Sequence, residues 1–346
     1  MSERVVAVPP PSALSRLMPG AVLLRLFALF AVLVILLGAL LGGKLFNGAA
    51  VRSMAFQLPE LGVLALAMMI PLLSGGLDLS IIATANLSAL GAATIFTHFG
   101  VGAHGMAAIP WDVLAILVGF AIAGVIGTLN GVVIAYLGVS PILATLGSMT
   151  LVKGIAIGLT HGGIISGFPA FMVFIGNGSV FDVPVVLIVF VLIAIPVSIL
   201  LTRTPFGTIV AMLGSNEKAV RYSGIDTRRV LIKVYILSAL LSSVAGMLMM
   251  ARFNSANASY GESYLLITIL AAVLGGVDPA GGFGRVSGLV LALVILQLVS
   301  TAANLLNISQ FLGLALWGVI LLGVAGVSRV WETVSILLRS APKDSS

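Results

Sequence analysis

The chain of 346 residues is 60% hydrophobic and only 8% charged, with a mean hydropathy of +1.23. A soluble domain of this length needs far more charge on its surface, so lipid must solvate most of this one. The chain contains no cysteine, which excludes disulfides, thiolate metal sites and thiol nucleophiles. Its net charge of +6 comes from basic residues that flank apolar segments. Orientation in a membrane explains them, and no nucleic-acid partner is expected.

Apolar runs of about 20 residues, the length that a helix needs to cross a bilayer, recur along the chain between Gly, Pro and Asn clusters. The runs are continuous rather than alternating, which favours helices over a barrel. The pattern predicts an all-α polytopic membrane protein with about ten transmembrane helices. They are expected at residues 22–41, 53–73, 79–98, 112–136, 142–160, 183–201, 232–250, 263–276, 285–303 and 308–326.

The remaining segments are predicted to be tails and loops. Residues 1–21 and 327–346 form tails around a membrane domain at 22–326, and a short helix is expected at 168–174 in an external loop. Most of the 17 Lys and Arg residues fall on one side when the N-terminus is inside. The positive-inside rule therefore predicts that both termini are cytoplasmic.

The largest internal loop, at residues 202–231, is also the most basic one. Within it, residues 214–225 are predicted to form a short helix, with Glu217 in its first turn and Gly224 after its last. Both positions suit the helix dipole and a C-terminal stop. A short charged helix at this place favours contact with a partner, and a merely solvated loop is the alternative.

Residues that could support an enzyme or a nucleotide site are scarce. Gly38 to Leu45 differs by one residue from a phosphate-binding loop, but Leu45 occupies the position where Ser or Thr must hold magnesium. The three histidines, His98, His104 and His161, have no His or Glu partner at helical spacing. The chain is therefore not expected to be an enzyme, to hydrolyse ATP unaided, or to bind a metal or cofactor.

Polar side chains inside apolar spans usually face the bundle interior or an aqueous path, because each is costly against lipid. Uncharged amides and hydroxyls suit a neutral polar solute better than an ion. As a set they favour a translocation pathway, and interhelical hydrogen bonding is the alternative for each one. The predicted pathway residues within helices are Asn86, Ser88, Asn130, Gln297 and Asn304.

The segment at 74–80, Ser-Gly-Gly-Leu-Asp-Leu-Ser, interrupts an apolar stretch. It predicts a helix break and restart, with Asp78 or Ser80 capping the free N–H groups, and both residues are also assigned to the pathway. Asp78 is the one acid expected in an apolar setting. Gly-Gly-x-Asp recurs at 275–278, which is weak evidence for a repeat in a chain with 40 glycines.

Three segments in order carry a family resemblance. Residues 74–80 match Ser-Gly-Gly-Ile-Asp-Leu-Ser, 207–225 match Phe-Gly…Gly-x-Asn-x-x-Ala-Ala-x-x-Ser-Gly-Ile, and 274–288 match Gly-Gly…Gly-Gly-x-Gly-x-x-x-Gly. The chain, from about residue 26 to 326, resembles permease subunits of bacterial ATP-binding-cassette (ABC) importers in the ribose, xylose, galactose and autoinducer-2 branch. The resemblance implies a multi-pass protein of the bacterial inner membrane.

In this family a cytoplasmic coupling helix docks into a groove on the ATPase. The family's Glu-Ala-Ala core falls here on Lys218-Ala219-Val220, so the acid is displaced to Glu217. The residues to which the resemblance gives this coupling role are Asn216, Glu217, Lys218, Ala219, Val220, Arg221, Ser223 and Gly224.

The resemblance also implies the partners. They are an ABC ATPase that uses ATP and Mg, a periplasmic solute-binding protein, a second permease copy or a paralogue, and the lipid bilayer. The implied cargo is a monosaccharide or similar small polar solute, with nucleoside and branched-chain amino-acid permeases as alternatives. A stand-alone secondary transporter would need buried ionisable coupling residues, for which Asp78 and Lys153 are the candidates.

Overall fold

The computed structural model describes residues 19–99, 107–309, 312–313, 315 and 317–319. Helices dominate this part of the chain. They are α1 (Pro19–Leu41), α2 (Gly48–Leu73), α3 (Ile81–Thr94), α4 (Ile109–Leu137), α5 (Pro141–Thr160), α6 (Ala170–Asn177), α7 (Val185–Arg203), α8 (Pro205–Ser215), α9 (Glu217–Tyr222), α10 (Thr227–Phe253), α11 (Tyr264–Leu274) and α12 (Val286–Leu305). A 3₁₀ turn at Gly42–Lys44 follows α1, and a π-helical turn at Ile95–Phe99 follows α3.

Two antiparallel pairs of two-residue strands complete the described structure. Strand β1 (Ile165–Ser166) pairs with β4 (Ser255–Ala256), and β2 (Ser179–Val180) pairs with β3 (Val183–Pro184). Both pairs lie in loops between helices, so they fix the connections rather than forming a core.

Eight of the described helices are long and apolar enough to cross a membrane, which confirms the all-α polytopic prediction. The span predicted at 263–276 is wrong in one respect: α11 has only 11 residues, about 16 Å, and is too short to cross alone. The helix predicted at 168–174 is found as α6. Most of the helix predicted at 308–326 and almost all of both predicted tails lie outside the described residues.

The predicted loop at 202–231 is largely helical. It contains α8 and α9, and α10 begins at Thr227, five residues before the predicted start. Thr204 caps α8 by accepting a hydrogen bond from the Gly207 N–H at 3.4 Å. Pro205 follows at the first helical position, where a missing N–H does no harm.

The bundle has two ends that differ in charge. We call the end that holds α8, α9 and the first turn of α10 the basic end. The last turn of α4 also lies there, since the Arg228 guanidinium is 5.1 Å from the Tyr136 ring centre. The opposite end is called the far end. There the last turn of α10 meets β4, and Arg52 in the first turns of α2 bonds Ser179 of β2.

Helices α2 and α10 form the centre of the bundle and are mostly buried, whereas α1, α5 and α7 are mostly exposed. Glycines allow α4 to approach α10 closely. A Cβ atom at Gly127 would lie 2.7 Å from Ile236 Cα, and one at Gly131 would lie 2.7 Å from Ile232 Cα. This is the small-residue packing typical of membrane helices.

The two Gly-Gly-x-Asp segments both end a helix but use different backbones. The residue with positive φ is Gly75 (+81°) after α2 and Gly276 (+86°) after α11, which are different positions of the motif. Asp78 is buried and Asp278 is half-buried. The shared sequence thus stops two helices without making them equivalent.

Candidate functional site

The break between α2 and α3 brings three predicted pathway residues together. Asp78 is 1% exposed and accepts hydrogen bonds from Ser80 N (3.0 Å), Ser80 Oγ (2.6 Å) and Ser238 Oγ (2.8 Å). The Asn130 Nδ2 group donates to Ser80 Oγ at 2.9 Å. We call Asp78, Ser80, Asn130 and Ser238 the break cluster.

The break cluster corrects the capping prediction in part. Asp78 bonds the N–H of Ser80, the residue before α3, as a local cap would. The Ser80 hydroxyl makes no capping bond to α3, so the alternative that Ser80 caps the helix is wrong. The Ser80 hydroxyl instead donates its hydrogen bond to the Asp78 carboxylate, which therefore has a neutral donor in place of a cation.

Thr145 is a functional candidate that sequence reasoning missed. Its hydroxyl accepts from Leu79 N at 3.1 Å and lies 3.3 Å from Leu77 O, so α5 supports the backbone on both sides of Asp78. A threonine in the first turns of an apolar helix is too common to stand out in a sequence. Only the fold brings it to the break.

Asn86 and Ser88 do not join the break cluster. Asn86 Nδ2 donates to the backbone oxygens of Ala258 (3.0 Å) and Tyr260 (2.9 Å), which ties α3 to the loop before α11. Ser88 is buried and its hydroxyl has no partner among the described residues. In this structure Asn86 therefore makes a structural contact.

Gln297 lies in a third place, toward the far end of α12. Its Nε2 group donates to Gln57 Oε1 at 3.2 Å and to Thr301 Oγ1 at 3.4 Å, and Gln57 Nε2 donates to Ser53 Oγ at 2.8 Å. These polar residues of α2 and α12 adjoin an open cleft of about 420 Å³, which we call the far-end cleft. It is lined by Lys44, Asn47, Ala49, Ala50, Ser53, Gln57, Thr301, Asn304 and Leu305.

A second buried acid was missed. Glu60 is 1% exposed, and its Oε1 accepts from Arg252 Nη1 (2.6 Å) and from Tyr264 Oη (2.9 Å), while Oε2 has no partner among the described residues. The expectation that Asp78 is the one acid in an apolar setting is therefore wrong. The bonds join α2, α10 and α11 near the far end.

The other predicted ionisable residue, Lys153, pairs with a loop acid. Lys153 Nζ lies 2.8 Å from Glu262 Oε1, and that hydrogen bond holds the pKa of Glu262 below its ordinary value. Both side chains are more than a third exposed. The pair thus offers little as a buried ion-coupling site. Among the described residues, no group of three His, Asp or Glu side chains could hold a metal ion.

At the basic end, the short helix predicted at 214–225 is found as α9, which is shorter than predicted because Gly214 and Ser215 belong to α8. Asn216 caps it by accepting from Ala219 N at 3.0 Å, and Glu217 in its first turn pairs with Arg221 at 2.7 Å. Gly224 follows the helix with a φ of +78°, a conformation that glycine adopts without strain.

Helix α9 presents most of the predicted coupling residues to the outside. Val220 is buried in the core cluster, whereas Glu217, Lys218, Ala219, Arg221, Ser223 and Gly224 are exposed. Tyr222, which was not among the predicted residues, is 91% exposed. A groove of about 520 Å³ between α8, α9 and Gly282 has Asn216, Ala219 and Val220 in its wall.

The three segments that carry the family resemblance meet at the basic end. A Cβ atom at Gly214, the next-to-last residue of α8, would clash with Leu73 O and lie 2.5 Å from Gly282 N. A Cβ atom at Gly281 would lie 2.7 Å from Gly75 Cα and 2.8 Å from Gly214 Cα. The Gly282 N–H also donates to Leu73 O at 2.9 Å. We call Gly75, Gly214, Gly281 and Gly282 the glycine junction.

The comparisons with known proteins agree with this architecture. Residues 50–325 match the model of a family described as the permease component of the branched-chain amino acid transport system. The ribose import permease protein RbsC of Bacillus subtilis (strain 168) is 36% identical over 264 residues, which cover 75% of this chain and 79% of that protein.

A second relative has a different named cargo. The autoinducer 2 import system permease protein LsrD of Yersinia pseudotuberculosis (serotype O:1b, strain IP 31758) is 31% identical over 268 residues, covering 76% of this chain and 78% of that protein. No solved structure matches the chain.

The chain belongs to this family of transport permeases, because the match covers most of its length. It is a multi-pass protein of the bacterial inner membrane, as the apolar helices and the import permeases among its relatives indicate. Its named relatives are transport proteins rather than enzymes.

Proposed function

We propose that the chain is the permease subunit of an ABC importer and carries a monosaccharide or similar small polar solute into the cell. In this proposal the basic end faces the cytoplasm and α9 docks on the partner ATPase, which binds ATP and Mg. A periplasmic binding protein delivers the solute to the far end. A second permease copy or a paralogue completes the transporter.

The observation that carries the proposal is the continuous connection from α9 to the break cluster. Asn216 joins α9 directly to α8, and Gly214 at the end of α8 touches the backbone of Leu73 and Gly282. Three residues beyond Gly75, the chain reaches Asp78. A displacement of α9 by a docked ATPase therefore has a short backbone route to the polar break in the membrane.

The class of solute follows from the polar groups and from the relatives. The side chains at the far-end cleft include amides and hydroxyls but no carboxylate. Such groups suit a neutral solute with several hydroxyls. One relative is named for ribose import, which favours the same class for this chain.

Reconstitution tests the proposal. The chain is placed in proteoliposomes with a candidate ABC ATPase and a candidate solute-binding protein from the same genome. Uptake of radiolabelled D-ribose, D-xylose, D-galactose and L-leucine is then measured with and without ATP. We expect ATP-dependent uptake of a sugar by the complete system and neither uptake against a gradient nor ATP hydrolysis by the chain alone.

Two results would count against the proposal. Uphill sugar uptake by the chain alone under a proton or sodium gradient would make it a secondary transporter. ATP-dependent uptake of leucine and of no sugar would retain the importer and change its cargo.

A further inference from the structure

Polar residues of α2 and α12 are concentrated toward the far end, where the two helices face each other. In α2 they are Arg52, Ser53, Gln57 and Glu60, and the stretch 61–73 contains none. In α12, apart from Ser287 near its start, they fall within its last nine residues. The Gln57–Gln297 hydrogen bond joins the two helices at this level. A polar seam thus enters the bundle from the far end.

The seam reaches well below the ends of the helices. Gln57 lies nine residues after Gly48, the first residue of α2, which corresponds to about 14 Å along the helix axis. Gln297 is 5% exposed and lies eight residues before the end of α12. Contacts with lipid headgroups explain polar residues at helix ends, but they do not explain a hydrogen bond between the half-buried Gln57 and the buried Gln297 at this depth.

The seam keeps hydrogen-bonding capacity available. The hydroxyls of Ser53 and Thr301 accept bonds from Gln57 and Gln297, and neither hydroxyl donates to a described residue. The Gln297 carbonyl oxygen accepts no bond from a described residue. Two donors, on Ser53 and Thr301, therefore remain in the cleft lining, and one acceptor remains behind it on Gln297, which bonds the lining residues Gln57 and Thr301. Hydroxyl groups of a sugar can act as both donor and acceptor.

The far-end cleft has the size of a small-molecule site. Its volume of about 420 Å³ falls within the range of about 300–1,000 Å³ that is usual for ligand pockets. Its lining contains one cation, Lys44, and no carboxylate. This combination favours a neutral polyhydroxylated solute over a cation or a zwitterion.

We propose that the far-end cleft is a low-affinity binding site for a neutral sugar, in which Ser53, Gln57, Gln297 and Thr301 hydrogen-bond its hydroxyls. This site rests on the proposed function, because it is the place where solute leaves the binding protein and enters the permease. The seam gives the solute its first polar partners inside the membrane.

Cysteine labelling tests the site directly, because the chain has no native cysteine. Single Ser53→Cys and Asn304→Cys variants are treated, in the assembled transporter, with a membrane-impermeant maleimide from the far-end side. We expect D-ribose, D-xylose or D-galactose at about 50 mM to slow labelling of both variants at least about threefold. Phe181→Cys is the control, because Phe181 is 97% exposed between β2 and β3 and lies outside the cleft lining. Its labelling should not change.

Two labelling results overturn the site. If none of the sugars protects either cysteine, the cleft does not bind sugar, and continued ATP-dependent uptake would leave the proposed function intact. If the Asn304→Cys residues of two permease copies form a disulfide with each other, the cleft is an interface between permease copies and not a solute site.

Transport kinetics provide a second measurement. Thr301→Val removes one cleft hydroxyl with little change of shape, and Thr128→Val removes an exposed hydroxyl that bonds only its own helix, at Gly124 O. We expect Thr301→Val to raise the sugar concentration for half-maximal uptake about three- to tenfold, because the variant loses one neutral hydrogen bond to the sugar. Its assembly with the ATPase should be normal. Equal values for the two variants would contradict the site.

Discussion

Among the described residues, the bundle has two buried carboxylates, Asp78 and Glu60, which receive hydrogen bonds from different kinds of donor. Asp78 receives its hydrogen bonds from two serine hydroxyls and a backbone N–H, and it forms no ion pair with a described residue. Glu60 receives a guanidinium and a phenol. The first arrangement can rearrange by rotating hydroxyls, whereas the second fixes three helices around one charge pair. We therefore expect the two acids to respond differently to substitution.

Removing the cation beside Glu60 is expected to destabilise the bundle. Arg252→Leu leaves a buried carboxylate without its counter-charge, and breaking such a pair typically costs about 3–5 kcal/mol. Thermal unfolding of the purified protein in detergent should show a clear loss. The control is Arg52→Leu, which removes an arginine of the same end that bonds the Ser179 hydroxyl and pairs with no acid in the described structure.

The double variant separates the charge from the packing. Glu60→Leu combined with Arg252→Leu removes both charges, and we expect it to be more stable than Arg252→Leu alone. If the double variant is less stable than either single one, the pair contributes through packing and not through its charge.

The environment of a single residue was predictable from the sequence where the residue lies within a recognisable motif. Asp78 stands inside a glycine-rich interruption, and its burial was predictable from that setting. Glu60 is the only acid in α2 and has no motif around it, and its partners are 192 and 204 residues away along the chain. No local pattern relates residues so far apart. The same reason hid Thr145, and it also hid the fact that Asn86 bonds a loop rather than the break cluster.

At the scale of elements, α9 is the part of the chain best suited to dock on another protein. It is short, capped at both ends and anchored to the core by Val220. Its last residue, Tyr222, is 91% exposed and extends a large amphipathic ring away from the bundle. Tyrosine is among the residues that most often dominate binding energy at interfaces.

Truncating this ring should weaken docking of the ATPase. We expect Tyr222→Ala to lower the affinity by about 30-fold, the equivalent of 2 kcal/mol at an interface hot spot. Co-purification and transport-coupled ATP hydrolysis measure the loss. Phe181→Ala removes a similarly exposed ring at the far end and should leave both unchanged. Full retention of the ATPase by Tyr222→Ala would remove this residue from the interface.

The elements themselves were predictable in proportion to their length. Long apolar runs predicted the spans well, because about 20 apolar residues have few other stable arrangements in lipid. Helix α8 was missed because 11 residues between basic flanks give no span signal. Helix α11 was predicted at 263–276, three residues longer than observed, because the prediction included Ser263 and the two glycines that follow Leu274. Only the structure distinguishes a half-length helix from a full span.

At the scale of the whole molecule, the glycine junction connects the docking element with the membrane interior. We expect Gly214→Ala to separate α8 from the α2 terminus, since its Cβ would clash with the backbone oxygen of Leu73. Uptake per ATP hydrolysed should fall several-fold while the ATPase still co-purifies. Gly124→Ala in α4 is the matched control, because its Cβ would meet no atom within 4 Å.

An outcome that leaves uptake per ATP unchanged in Gly214→Ala would contradict a coupling role for the junction. Loss of the folded protein is tested separately by its yield and its elution profile in detergent. Should the protein not assemble, Ser215→Ala and Ser215→Leu provide graded changes one residue away, where the side chain touches Gly282. Graded uncoupling is then expected, with the larger residue giving the lower ratio.

The convergence of the three resemblance segments was not predictable from the sequence. Gly75, Gly214 and Gly281 are separated by 139 and 67 positions. Their order along the chain indicated a family, but each glycine looked locally like a turn or a helix end. The structure gives them a shared reason to be glycine, which is contact between backbones. Function followed from the motifs, whereas the physical route between them required the fold.

The glycine junction also bears on the stoichiometry of transport. Side chains at a joint can change rotamer and absorb part of a displacement, but contact between backbones leaves no such freedom. A movement of α9 that accompanies ATP binding then displaces the break between α2 and α3 by its full extent, or does not displace it. We infer a fixed number of solute molecules per ATP in the native transporter, and a variable number when the joint contains a side chain.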